Sequence, residues 1–291
     1  MSKVLFVINP VAGAKTHNSL VDTIENLVPN SVDAHFEIWN TRDKFSEIKN
    51  RILSEPFDKI IACGGDGTIS LISRLAKQVN TALGIIPLGS GNGYARHLKI
   101  PLKVEKAIEV VLSENYLDVD TAEIDGNYYI NIAGLGFDAL ISEQFSKTKN
   151  RGILNYMTLT FKNLFSYKPA FYNLKFNDIE WSGKAVVVDF ALGTQYGNDA
   201  VISPHSDPSD GMLDICILNP YPFWYNFVLL YRFYSKSIHR SKYYKSFKAE
   251  AINVESSESN LAHYDGEGFE VNPRFTVQVS KEKLKVLVPN L

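Results

Sequence analysis

The sequence is poor in cysteine. Cys63 and Cys216 are the only two in 291 residues, too few for a disulfide framework, and without histidines spaced beside them they form no zinc pattern. Both read as small buried hydrophobes. No apolar window reaches about 18 residues, the length of a membrane-spanning helix. The opening Val4-Leu5-Phe6-Val7-Ile8 is cut at once by Asn9-Pro10, too short for a signal-peptide core, so a cytoplasmic location is expected. An excess of either charge is also missing. Thirty basic against 32 acidic residues give a net charge of -2, which excludes a chain that wraps nucleic acid along its whole length. Internal repeats, low-complexity tracts and Gly/Ser-rich linkers are absent from the sequence as well. What remains is 45% hydrophobic and 21% charged, the composition of a folded soluble protein, and at roughly 100 to 200 residues per domain it is long enough for two cores.

The first 120 residues alternate short apolar runs (3–9, 34–39, 58–63, 82–87) with helical stretches (18–27, 45–53, 69–79, 103–112), a pattern that predicts a parallel sheet with helices on both faces. Run 4–8 is apolar throughout and run 59–63 is apolar after Lys59, as central strands covered on both sides require. After residue 112 the texture becomes strand-like, with runs at 118–123, 127–132, 185–192, 213–218, 249–254, 275–279 and 284–288. The expected organisation is therefore an α/β domain over 1–122 and a mainly β domain over 123–291, the last segment being able to return to the first.

The run at 58–63 ends in Gly64-Gly65-Asp66-Gly67-Thr68, with a predicted helix behind it. Such a turn sets unobstructed backbone N–H groups at a helix N-terminus, where a phosphate is favoured. By itself it fits an ordinary tight turn equally well. Two more small-residue turns follow strands, Asn9-Pro10-Val11-Ala12-Gly13-Ala14-Lys15-Thr16 and Pro87-Leu88-Gly89-Ser90-Gly91-Asn92-Gly93. In a parallel sheet all three gather at one edge, where ligands of such folds bind. The pattern Gly-x-x-x-x-Gly-Lys-[Ser/Thr] is absent, which excludes a P-loop. The segment Gly134-Leu135-Gly136-Phe137-Asp138-Ala139 approaches a dinucleotide fingerprint, but 144–177 contain no Asp or Glu to hold a ribose.

These motifs resemble the three nucleotide-site motifs of the diacylglycerol kinase catalytic domain family, which includes sphingosine kinases and bacterial lipid kinases. The likeness continues through residues 131–138, Arg151-Gly152, Tyr196-Gly197, Asp210-Gly211-Met212-Leu213 and Asp265-Gly266-Glu267, nearly the whole chain. It implies a first domain like those of NAD kinases and phosphofructokinases, and a β-sandwich second domain. It further implies ATP held by Gly64, Gly65, Asp66, Gly67 and Thr68, with Asn9, Gly13, Thr41, Ser90 and Asn92 around it. The γ-phosphoryl group would pass to a lipid hydroxyl, of diacylglycerol or sphingoid type. Glu267 is then the proton acceptor, with Asp265 able to exchange roles with it, and Asp66 and Asp120 enter a carboxylate, water and Mg2+ network. By the same resemblance Asp210, with the carbonyls of Pro208 and His205, would hold a structural Mg2+, although an Asp-Gly turn explains those residues equally well. Gly93 departs from the family, many bacterial members carrying Asp there. Alternatives left open are a kinase of a soluble acceptor, NAD kinase-like, and a nucleotide or lipid binder without turnover.

The near-neutral total hides an asymmetry. Residues 144–177 and 221–248 carry six basic side chains each and no acidic one, so the rest of the chain sets 18 basic against 32 acidic residues. Tyr, Phe and Trp interleave with both sets, which suits the headgroup layer of an anionic membrane at roughly 1 kcal/mol per well-placed cation. Amphipathic helices with their aromatics in the core give the same pattern. The acidic remainder argues against nucleic acid. A lipid substrate and a peripheral membrane surface are the expected partners, and a homodimer is compatible with the chain.

Overall fold

The structure, a computed structural model, describes residues 1–10, 17–39, 41–148, 153–256 and 258–290. Gly13, Lys15 and Arg151-Gly152, singled out above, lie outside the described residues. The chain divides into two compact units, 1–119 with 282–291, and 120–281.

The first unit contains β1 (Ser2–Ile8), α1 (His17–Leu27), β2 (Val32–Ile38), α2 (Arg42–Ser54), β3 (Lys59–Gly64), α3 (Asp66–Gln78), β4 (Ala82–Pro87), α4 (Gly93–His97), α5 (Val104–Val111) and β5 (Tyr116–Val119), with the late strand β18 (Leu284–Leu287). They form one sheet in the order β2-β1-β3-β4-β18-β5, parallel except where β5 pairs antiparallel with β18. Strands β1 and β3, apolar after Lys3 and Lys59, are interior strands, and Leu5, Phe6, Val7, Ile60, Ile61 and Ala62 are fully buried. Along α3, Ile69, Ile72, Leu75 and Ala76 recur at helical spacing and form its buried stripe.

The second unit contains β6 (Ala122–Ile124), β7 (Asn127–Tyr129), β8 (Ile132–Gly136), α6 (Phe137–Ser146), α7 (Ile153–Leu164), β9 (Ala170–Phe176), β10 (Ile179–Ala185), β11 (Val187–Ala191), β12 (Leu213–Leu218), α8 (Tyr225–Tyr234), β13 (Tyr244–Ala249), β14 (Ala251–Ser256), β15 (Leu261–Tyr264), β16 (Glu267–Glu270) and β17 (Arg274–Val279). Two six-stranded sheets result, β10-β9-β14-β17-β6-β7 and β13-β12-β11-β8-β15-β16. Alternate residues of both build a shared core, among them Tyr172, Leu174, Val254 and Val277 from one and Leu135, Val188, Phe190 and Ile215 from the other. The opposite face of the second sheet is buried too, where Ile132, Val187, Ala191 and Leu218 pack against Tyr225 and Leu229 of α8.

Four runs that are continuous in sequence are broken in the structure, and the first of them, 118–123, divides between β5 of the first unit and β6 of the second. The run 185–192 belongs to β10 and β11, and 249–254 to β13 and β14; in each case the chain leaves one sheet and enters the other at a single residue, Val186 or Glu250. Hydrophobic periodicity does not mark such a crossing, because the residues on either side of it, Ala185 and Val187 or Ala249 and Ala251, are apolar in both sheets. The run 127–132 is interrupted at Ile130 and Asn131, whose backbone N–H groups are drawn away to the carboxylate of Asp265.

Candidate functional site

In the first unit, the carboxyl ends of β1, β3 and β4 bring Asn9, the 64–68 turn and the 87–93 turn together. The Asn9 side-chain amide donates to Thr68 Oγ1 at 2.9 Å, and its backbone N–H donates to the Cys63 carbonyl at 3.0 Å. Leu88 N–H donates to the Gly64 carbonyl at 2.8 Å, which locks the second turn to the third. Glycine is needed here for space. A Cβ on Gly89 would stand 2.6 Å from the Gly65 Cα, and one on Gly64 would stand 2.5 Å from the Thr68 side chain. The 13-residue helix α3 begins directly after Gly65, which has no side chain to cap it. A helix N-terminus of this kind favours an anion through its macrodipole and the N–H groups of its first turn.

Asp66 sits in the first turn of α3 and reaches across to the third motif, where its Oδ1 accepts the Tyr94 N–H at 3.2 Å. Burial raises its pKa above the ordinary carboxylate value, and the Tyr94, Gly93 and Asn92 N–H groups work against that rise. Asn92 takes the left-handed conformation, φ +49°, ahead of α4 and donates to the Gly89 carbonyl at 2.8 Å. Its Oδ1 is buried and has no hydrogen-bond partner, an orphaned acceptor at the rim. Ser90 is exposed in this turn. Thr41 ends the loop after β2 and caps α2 by accepting the Lys44 N–H at 3.1 Å. The structure thus brings Asn9, Gly64, Gly65, Asp66, Thr68, Gly89 and Asn92 into one constellation.

In the second unit, Asp265 and Gly266 form the turn between β15 and β16, both with positive φ, +46° and +85°. Asp265 is a backbone clamp. Its carboxylate accepts the N–H groups of Ile130, Asn131 and Ile132 at 3.2, 2.9 and 3.3 Å, while its own N–H donates to the Ile132 carbonyl at 2.8 Å. Glu267 opens β16 and is exposed, and its side chain makes no hydrogen bond or ion pair among the described residues. Asp120 is buried and is also a clamp, accepting the Gly211 N–H at 2.6 Å and donating its N–H to the Pro208 carbonyl at 2.7 Å. In the same loop Asp210 accepts the Met212 N–H at 3.0 Å and pairs with the Lys248 ammonium, which also stands 3.6 Å from Asp214. The His205 ring packs against the His239 ring at 4.9 Å. A cation therefore already faces Asp210, and it is a lysine.

Sequence reasoning missed a second constellation in this unit. Asp138, Asp189 and His263 converge on the helix-covered face of the second sheet, 7%, 0% and 3% exposed. The His263 Nε2 is 2.7 Å from Asp138 Oδ2 and 3.9 Å from Asp189 Oδ1. Burial disfavours the charged imidazole, yet Asp138 and then Asp189 outweigh it and push the His263 pKa up to about 10. Burial and the neighbouring Asp138 carry the Asp189 carboxyl well above its usual range, whereas His263 holds Asp138 below it. The available signal was Asp189 itself, one acid inside the apolar run Val186-Val187-Val188-Asp189-Phe190.

The aromatics of the two basic windows divide. Tyr172 and Tyr225 are core residues, but Phe227 (75% exposed), Leu230, Tyr231 and Tyr234 line the outer face of α8 at helical spacing. Trp224 and Phe223 precede them, and Phe165, after α7, lies 4.8 Å from the Phe223 ring and 5.6 Å from Phe161. Helices α7 and α8 thus share one exposed aromatic surface. No helix among the described residues is long and apolar enough to cross a membrane.

An α/β unit with a parallel sheet and glycine turns at its strand ends, followed in the chain by a two-sheet β unit, defines the class of fold. The model of the diacylglycerol kinase catalytic domain matches residues 3–124, and the model of the YegS C-terminal NAD kinase beta sandwich-like domain matches residues 131–288. The chain belongs to this family of lipid kinases, the diacylglycerol kinase catalytic domain family. A protein of Yersinia enterocolitica described as "Probable lipid kinase YegS-like" is 27% identical over 205 residues, 68% of this chain and 69% of the relative. Its namesake in Yersinia pestis (strain Pestoides F) is 31% identical over 166 residues, and that match spans 55% of this chain and little more than half of the relative, 56%. Among solved structures, a diacylglycerol kinase from Bacillus anthracis str. Sterne superposes with a TM-score of 0.75 at 18% identity, covering 99% of this chain and 97% of the other. An NAD kinase from Archaeoglobus fulgidus in complex with ATP gives 0.54 at 14% identity, covering 98% and 93%. These likenesses extend the fold over both units.

Proposed function

We propose that this protein transfers the γ-phosphoryl group of ATP to the hydroxyl of a membrane lipid of diacylglycerol or sphingoid type. The observation that carries the reading is the close approach of Gly65 to Gly89 at the uncapped start of α3, in a chain that belongs to a lipid kinase family. Phosphoryl transfer depends on positioning and on charge stabilisation more than on covalent chemistry, and backbone N–H groups at a helix start supply both. Gly64, Gly65, Gly67 and the first N–H groups of α3 would hold the phosphates, with Asn9 and Thr68 fixing one wall and Ser90 and Asn92 the other. Asp66 would act mainly by bracing the third turn against the second. Mg2+ would enter bound to the triphosphate and lower its negative charge for attack. Glu267 would take the proton of the acceptor hydroxyl, for among the carboxylates in question Asp66, Asp120 and Asp265 are engaged by backbone N–H groups and Glu267 is not.

The aromatic face of α8, with Phe161 and Phe165, would rest in the headgroup layer of an anionic membrane, the charge match coming from Lys162, Lys168, Arg232 and Lys236 around it. The test is a single-turnover assay with γ-labelled ATP and Mg2+ against vesicles containing diacylglycerol, a sphingoid base or phosphatidylglycerol, with NAD as a soluble acceptor. Label in the lipid phase, lowered about 10²-fold or more in Glu267→Gln with ATP affinity kept, is the expected result. Label on NAD, or label remaining on ATP, would sink the lipid kinase reading. In flotation of the same samples the protein should rise with anionic vesicles and stay behind with neutral ones.

A further inference from the structure

We propose that Asp138 and His263, with Asp189 behind them, are positioning residues that seat the β15–β16 hairpin on α6 and so aim Glu267. The inference rests on Glu267 being the proton acceptor of the proposed transfer.

The hairpin needs an anchor. Among the described residues β16 is the outer strand of its sheet and pairs with β15 alone, and each of the two is only four residues long. Two short strands hold together poorly unless another element covers them. Helix α6 does so, lying along both. In its first turn Asp138 Oδ2 stands 2.7 Å from Nε2 of His263, a residue of β15 just ahead of the hairpin turn. Further along the helix the fit is backbone to backbone, for a Cβ on Gly268 would stand 2.6 Å from the Glu143 Cα. Glu267 thus lies between two fixed points, Asp265 tied to residues 130–132 on one side and Gly268 against α6 on the other. The seat of the hairpin sets where its carboxylate points.

The buried group is built as a closed lock. Asp189 on β11 and His263 on β15 both pair with Gly134 on β8, so they lie in one row and project from the same face of the sheet. Only glycine fits between them, since a Cβ on Gly134 would run into the carboxylates of Asp189 and Asp138. Asp189 is bonded to Asp138, its Oδ1 lies 3.9 Å from the His263 Nε2, and its other oxygen accepts the Tyr196 hydroxyl. Asp138 Oδ1 accepts the Ala139 N–H at 2.9 Å, which fixes the carboxylate to the start of α6. Charges close as well. Burial and Asp138 keep a proton on Asp189, while His263 stays charged against burial because of Asp138 and then Asp189. One cation, one anion and one neutral acid sum to zero, which a buried cluster tolerates. Removal of either member of the ion pair leaves its partner charged and buried, and the readiest relief is for His263 to move toward water and take the hairpin with it.

The experiment is a double-substitution cycle on the whole protein. His263→Gln, Asp138→Asn and Gly268→Ala are each made in wild type and in Glu267→Gln. Turnover is read with γ-labelled ATP and anionic vesicles carrying diacylglycerol and a sphingoid base, and amide hydrogen exchange is followed by mass spectrometry. In wild type each substitution should lower kcat about 10-fold to 100-fold with the KM for ATP kept. Exchange should quicken over residues 262–270 and stay unchanged over 59–87. In the Glu267→Gln background the same substitutions should lower kcat by less than about twofold, because the side chain they misdirect has already lost its role. Gly268→Ala alters no buried charge, so it still decides if the other two variants fail to fold. Equal losses in both backgrounds, or exchange over 262–270 that does not change, would overturn the proposal. A wild-type protein that passes no label to lipid would count against the lipid kinase reading instead, and the exchange measurement would still decide whether the group anchors the hairpin.

Discussion

The 64–68 turn in the α/β unit and the 265–267 turn in the β unit are alike in sequence, each setting a carboxylate beside glycine, yet they use glycine for different reasons. In the former, the glycines are there for what they lack: a Cβ on Gly65 would stand 3.2 Å from the Cα of Gly89 on the facing turn, and one on Gly64 would run into Thr68. In the latter, a Cβ on Gly266 would meet nothing within 4 Å, and the residue is required for its left-handed φ of +85°. The acids converge where the glycines diverge. Asp66 holds the N-terminus of α4, and Asp265 holds three successive N–H groups ahead of β8, so each fastens a segment distant in sequence to its own turn. A surface emptied of side chains suits a ligand that approaches backbone, whereas a tightly clamped hairpin suits a side chain, Glu267, that must be aimed.

Substitution can pull these two uses apart. The largest effect is expected from Gly89→Ala. Its Cβ would lie 2.6 Å from a backbone atom on the facing turn, and neither turn is free to retreat because Leu88 is bonded to Gly64. Overpacking of this kind costs about 1–3 kcal/mol, and the forced separation would open the phosphate surface itself. Loss of ATP binding by calorimetry, together with a lower urea midpoint, is the expected outcome. Normal ATP affinity would show that the contact between the glycine turns has no part in the site.

Asp265→Asn comes next. Asparagine accepts the left-handed conformation, so the change removes charge and one acceptor without straining the turn. Three N–H groups would then share one carbonyl oxygen, and hydrogen bonds to a charged acceptor are worth about 1.5–3 kcal/mol each. A loss of about 2–3 kcal/mol in urea unfolding is expected, with turnover falling only as far as the hairpin shifts. An unchanged midpoint combined with abolished turnover would assign Asp265 to catalysis and reverse the roles given to it and Glu267.

The same comparison shows why some features are legible in sequence and others are not. The order of the α/β elements follows from apolar runs and helical spacing, both local properties, and the glycine turns announce themselves by composition. The clamps do not, because Asp66 binds 28 residues ahead and Asp265 about 134 residues back, and no local pattern encodes either partner. Distance hid the Asp138, Asp189 and His263 group in the same way. Its members are brought together by strand register, and each alone reads as an isolated acid or histidine. Crossings between the two sheets at Val186 and Glu250 were hidden for a further reason, that the residues flanking each, Ala185 and Val187 or Ala249 and Ala251, are apolar on both sides.

Gly266→Ala should have the smallest effect. No neighbour resists the new methyl group, so the whole penalty is the left-handed backbone, about 1–2 kcal/mol for a residue with a Cβ. Because the Asp265 clamp is made by the preceding residue, the hairpin should keep its place and Glu267 its direction. Turnover should therefore survive within a fewfold of wild type while the urea midpoint falls. If Gly266→Ala abolished turnover as Gly89→Ala is expected to, a ligand would have to approach the backbone at residue 266, and the turn would join the first unit's glycines as a surface kept bare for contact.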